Sequence, residues 1–98
     1  MAHLYDGDFM YQVHLIVLGK VQGVFYRASC QDVAVKYGLH GWVKNLYTGE
    51  VEAVAQGEKE KLEKFIEWCK KGPPHADVSG TEVQWEEVTE VFNGFGIK

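Results

Sequence analysis

The chain has 98 residues, 46% of them apolar and 24% charged, the balance of one globular domain over residues 1–98 with a modest core, which excludes a disordered chain. Ten Lys and Arg against 14 Asp and Glu leave a net charge of −4, so the basic face of a dedicated nucleic-acid binder is missing. All but one of those ten cations are Lys; Arg27 is the only side chain able to grip an anion with a planar fork.

Residues 1–9 are a polar lead-in with no packing signal, open to disorder, and lack the basic start and apolar centre of a secretory signal. No apolar run approaches the roughly 20 residues that span a membrane, and the expected location is the cytoplasm. Met10 to Leu18 alternates and reads as a strand covered in part on both faces, with Val13, Leu15 and Val17 on one of them. Gly19-Lys20-Val21-Gln22-Gly23-Val24 breaks it. Tyr26, Cys30, Val33, Ala34 and Tyr37 then recur at helical spacing, with Gly38 where a left-handed cap belongs.

Leu39 to Leu46 and Glu50 to Gln56 read as a hairpin around Tyr47-Thr48-Gly49-Glu50, the second strand apolar at Val51, Ala53 and Ala55 and mostly polar opposite. Glu58 to Lys71 is the clearest helix, with Leu62, Phe65, Ile66 and Cys69 on one face and Gly72-Pro73-Pro74 as its stop. Its Glu60/Lys64 and Glu67/Lys71 spacings suit i,i+4 ion pairs. Val78 to Val88 is strand-like, and Asn93 to Ile97 is a short extended piece. The order is βαββαβ plus a C-terminal strand. It predicts an α+β, ferredoxin-like sandwich, an antiparallel sheet with both helices on one face.

Strand, glycine loop and helix together are a recipe for holding phosphate. Glycines let consecutive N–H groups converge, and the helix N-terminus adds positive charge at the same point. Arg27 falls in the first helical turn, where a cation opposes the helix dipole unless an anion joins it. The loop alone is weak evidence, since it is neither a Walker A loop nor a dinucleotide fingerprint. Cys30 and Cys69 read either as two buried small hydrophobes or as a disulfide between the two helices. His14, His40 and His75 show no ligand spacing and are read as surface or core residues.

Gly19-Lys20-Val21-Gln22-Gly23-Val24-Phe25-Tyr26-Arg27 closely resembles the G-x-V-Q-G-V-x-F-R signature of the acylphosphatases. Gly41-Trp42-Val43-Lys44-Asn45, followed by Gly49, Val51 and Gly57, resembles that family's second signature. The likeness runs over about residues 10–97, with Tyr26 departing from the usual Phe. It implies a hydrolase acting on acid anhydrides that splits small-molecule acyl phosphates into carboxylate and inorganic phosphate, with the phosphate also an inhibitor.

By that resemblance, residues 19–24 (Gly19, Lys20, Val21, Gln22, Gly23, Val24) and Arg27 hold the phosphoryl group and Asn45 positions the attacking water. Lys20 and Lys44 stand as candidates for added positive potential at the mouth. No cofactor or metal is implied, nor any nucleic acid or membrane partner, and a monomer is expected because no apolar surface stripe is left over. Two rival readings are a non-catalytic regulatory module and a nucleic-acid-binding sheet. The second would need a basic face and an RNP1 pattern, and this chain has neither.

Overall fold

The computed structural model describes residues 10–98; the lead-in expected to be open to disorder, residues 1–9, lies outside them. In chain order the elements are β1 (Tyr11–Lys20), α1 (Tyr26–Lys36), β2 (His40–Asn45), β3 (Val51–Gly57), α2 (Lys59–Lys71), β4 (Asp77–Glu86) and β5 (Phe95–Ile97). They form one five-stranded sheet in the order β4-β1-β3-β2-β5. β3 pairs antiparallel with both β1 and β2, and β1 antiparallel with β4. The expected antiparallel sheet therefore holds for four strands. The added strand differs: β5 lies parallel to β2, with Gly41 opposite Phe95 and Val43 opposite Ile97. Alternation of side chains predicts a strand but carries no information about its direction.

Period-two alternation sends Val13, Leu15 and Val17 of β1, Val43 of β2, and Val51, Ala53 and Ala55 of β3 into one buried layer. Tyr26, Cys30 and Ala34 of α1 and Leu62, Phe65, Ile66 and Cys69 of α2 close over it. Helix α1 ends as Gly38 suggested. Gly38 takes φ 70; its N–H donates to Val35 O at 3.0 Å and that of Leu39 to Ala34 O at 2.8 Å, a Schellman cap. On α2 the ion pair is Glu67–Lys70 at 3.3 Å; the Glu60/Lys64 and Glu67/Lys71 spacings form none among the described residues. These side chains are exposed, and such pairs hold little energy.

The opposite face of β3 is less polar than it reads. Gln56 is fully buried there. Its amide donates to Gln12 Oε1 at 2.7 Å and to Glu90 O, and accepts from Phe92 N–H at 3.1 Å. A buried amide requires such partners, and here they tie the return segment before β5 against the sheet. His40 Nδ1 donates to Phe92 O at 2.8 Å, and His14 Nε2 lies 2.7 Å from Glu52 Oε2. Both histidines therefore have structural partners.

Tyr26, the departure from the family signature, has a physical reason. In α2 the Cys69 carbonyl looks for an N–H four residues on, and that residue is Pro73, which has none. The buried Tyr26 hydroxyl donates to Cys69 O at 2.7 Å instead. Burial, then the neighbouring Cys69 and Cys30, push the hydroxyl well above the usual tyrosine range, so it remains a neutral donor. Tyr26→Phe is expected to cost about 1–2 kcal/mol in urea unfolding, the penalty for an orphaned buried carbonyl. Cys30 and Cys69 are free, buried thiols. Contact with the Cys69 side chain, reinforced by burial, raises the Cys30 thiol, which leaves it unreactive.

Candidate active site

The segment between β1 and α1 is built by two glycines with different tasks. Gly19 stands at an irregularity where the β1–β4 register shifts after Leu18. Its φ is 118, and a Cβ there would lie 2.2 Å from Asp77 O and 2.6 Å from Ser79 N. Only glycine fits the close approach of the β4 backbone at this register shift, after which Gly19 and Lys20 still pair with β4. Gly23 takes φ 74 with no atom within 4 Å of where a Cβ would stand, so conformation alone requires it. Val21 between them and Val24 just after Gly23 are buried and anchor the loop in the core.

Gln22 braces the loop from the side. Its amide donates to Leu46 O at 2.6 Å and to Glu50 O at 2.8 Å, the two ends of the β2–β3 turn. Leu46 N–H donates to Glu50 O at 2.8 Å and Gly49 N–H to Leu46 O at 3.0 Å, so the turn is itself fixed. The loop and the strand that carries Asn45 therefore share one hydrogen-bonded frame. Thr48 Oγ1 adds a bond to the Glu50 carboxylate, which holds that exposed group below its ordinary range.

Helix α1 then starts without a side-chain cap. Its N-cap residue is Phe25, at φ 63 and ψ 24, the one positive-φ residue other than glycine among the described residues. For an aromatic side chain this conformation costs roughly 1–2 kcal/mol. The N–H groups of Gln22, Gly23, Val24 and Phe25 find no partner among the described residues. Arg27 is half-buried in the first turn and makes neither a hydrogen bond nor an ion pair with another described residue. Free donors and an unpaired cation thus gather at the positive end of α1, an arrangement that asks for an anion.

A cavity of about 350 Å³ lies at this point, lined by Val21, Gly23, Phe25, Arg27, Asn45 and Ile97 together with Tyr26 and Ala28 of α1. Asn45 ends β2 on the inward face. Its Oδ1 is buried and has no hydrogen-bond partner, which is costly in a native structure unless the atom is used. Of the residues singled out from the sequence, Val21, Gly23, Arg27 and Asn45 meet in this cavity. Gly19 and Lys20 form the end of β1, Val24 points into the core, and the Gln22 side chain is spent on the turn.

Lys44 does not face the cavity. It precedes Asn45 on the strand and so projects to the other face, where Nζ lies 3.6 Å from Glu52 Oε1 and 5.5 Å from the Trp42 ring centroid. Phe25, Ala28 and Ile97 were not expected in the site. An apolar residue in a loop or at a strand end reads as core, and only the third dimension brings it to a cavity rim. Among the described residues no group of three or more His, Cys, Asp and Glu side chains is placed to hold a metal ion, and no helix is long and apolar enough to cross a membrane.

The sequence model of the family described as Acylphosphatase matches residues 13–97. An acylphosphatase of Pyrobaculum calidifontis is 53% identical over 87 residues, covering 88% of this chain and 79% of that protein. The structure of an acylphosphatase from Coxiella burnetii superposes with a TM-score of 0.86 at 42% identity, covering 91% of this chain and 93% of the other. The crystal structure of acylphosphatase from Bacillus subtilis gives 0.87 at 39%, covering 90% and 98%.

Proposed function

Because the chain belongs to the acylphosphatase family and is an acid-anhydride hydrolase acting on small-molecule acyl phosphates, we propose the following division of labour among its residues. The N–H groups of residues 21–24 and the Arg27 guanidinium hold the phosphoryl oxygens. Asn45 Oδ1 accepts a hydrogen from one water molecule and turns its lone pair toward phosphorus. The observation that carries this reading is the single cavity in which the loop, the unpaired Arg27 and the unpartnered Asn45 Oδ1 meet.

Attack is in line. As the water oxygen bonds to phosphorus, the bond to the acyl oxygen breaks and its electron pair leaves with the carboxylate. The parent acid of that leaving group has a pKa of about 4–5, like a glutamic acid side chain, so it departs without a proton donor. The water proton passes to a phosphoryl oxygen. What remains for the protein is positioning and the stabilisation of charge on the three equatorial oxygens. Fixed N–H donors and one guanidinium perform both without reorganising during the reaction. The cation at the helix N-terminus, unfavourable in the empty site, becomes favourable once the phosphoryl group arrives.

Hydrolysis of acetyl phosphate in excess EDTA tests the reading. Turnover is expected to be unchanged by the chelator and inhibited competitively by inorganic phosphate, which the same donors bind. Abolition of turnover by EDTA, with recovery on adding a divalent ion, would refute the assignment of all charge stabilisation to the loop and Arg27. The regulatory and nucleic-acid readings are not favoured: neither accounts for an unpaired arginine facing an unpartnered amide.

A further inference from the structure

The phosphoryl group and water assigned above account for the polar part of the cavity lining, and its apolar part remains to be explained. A volume of about 350 Å³ is in the range of sites for whole small molecules. Arg27 is the only charged residue among its lining; Val21, Phe25, Ala28 and Ile97 make the rest largely apolar. Phe25 is the anomaly. It is 79% exposed, and the backbone holds it in the left-handed region at φ 63, which aromatic residues avoid. An apolar ring kept in a disfavoured conformation and turned toward water is gaining nothing from the fold. Such outliers gather at ligand sites, where a bound group repays them.

The geometry points to Phe25 as the residue that meets the acyl group of the substrate and sets a preference for aromatic or branched acyl phosphates over acetyl phosphate. This rests on the division of labour proposed above. With water on the Asn45 side, in-line displacement puts the acyl oxygen on the opposite side of phosphorus. Asn45 and Ile97 belong to the strand wall, from β2 and β5, whereas Phe25 belongs to the loop-and-helix wall. The leaving carboxylate therefore emerges against Phe25. Its side chain offers a flat apolar surface but no donor, so a bulky apolar acyl group gains contact area there and a methyl group gains little.

Contact made equally in ground and transition states appears in KM rather than kcat. The test is steady-state kinetics of the full chain with benzoyl phosphate and acetyl phosphate, comparing the unaltered protein with Phe25→Asn and Phe25→Leu. Asn tolerates the left-handed conformation, so the loop can keep its path. The unaltered protein should favour benzoyl phosphate. Phe25→Asn should lower the ratio of kcat/KM for benzoyl phosphate to that for acetyl phosphate about tenfold, through KM for benzoyl phosphate. Phe25→Leu should fall between. An unchanged ratio of the two kcat/KM values in Phe25→Asn would overturn the inference, including the case in which both substrates suffer alike, since that marks a residue shaping the loop. Failure of the unaltered protein to turn over either substrate is a separate result, and it would overturn the reading of the site beneath.

Discussion

Arg27→Gln is expected to lower kcat/KM for acetyl phosphate by ~10³-fold or more without lowering the stability of the protein. The loss follows from the number of donors at the phosphoryl group. One preorganised donor is typically worth ~10²–10³ in rate, and an arginine at a transferring phosphoryl group somewhat more. The absence of a stability cost follows from the surroundings. Arg27 has no ion pair or hydrogen bond among the described residues, and its charge opposes the dipole of α1. Neutral Gln removes that opposition, so the urea midpoint should hold or rise slightly.

Phosphate provides a further readout. A ligand that binds only the folded state raises stability with its concentration. The unaltered protein should therefore melt higher in phosphate, and Arg27→Gln should lose most of that increment. A variant that unfolds more easily, or that keeps its phosphate stabilisation, would mean that Arg27 supports the fold and not the substrate.

Asn45→Ala should separate from it cleanly. Here kcat is expected to fall by ~10²–10³, with KM near its original value and phosphate stabilisation retained, because Asn45 is assigned to the water and not to the phosphoryl group. Removing a buried acceptor that has no partner costs the fold no hydrogen bond, so unfolding should be unchanged or slightly harder. A KM that rises in step with the loss of kcat would move Asn45 to the phosphoryl group. Retention of full activity would remove it from the mechanism.

Much of this site is legible before any coordinates. Gly19, Gly23 and Arg27 are spaced so that a strand, a tight loop and a first helical turn follow one another; Gly23 and Arg27 lie where the pattern puts them, whereas Gly19 and Lys20, expected in the loop, still pair with β4 as the end of β1. The inward face of α2 is readable to the residue, because four apolar side chains at helical spacing leave one solution. The long-range partners are not legible. Gln22 is expected among the residues that hold the phosphoryl group, and nothing near it announces that its amide closes on Leu46 and Glu50. Gln56 reads as a solvated position until the return segment before β5 covers it. Phe25 enters the sequence reading only as the variable position of the first signature, with no signal that its ring faces outward. Lys44 is a different case: strand alternation already placed it opposite Asn45, and proximity in sequence hid what periodicity stated.

The strand order has a consequence in time. Only β2 and β3 are neighbours joined by a short turn; every other adjacent pair in β4-β1-β3-β2-β5 is brought together from distant parts of the chain. Tyr11 must find Gly57, and Gln12 must find Glu86, before the first strand is held on both sides. Such non-local closures are entropically demanding and slow folding relative to helical proteins of equal size. The loop after β1, Asn45 and Ile97 come from three different stretches, so the complete cavity closes only when β2, β3 and β5 have joined. Recovery of acyl phosphate turnover during refolding is therefore expected to follow the slowest of these pairings.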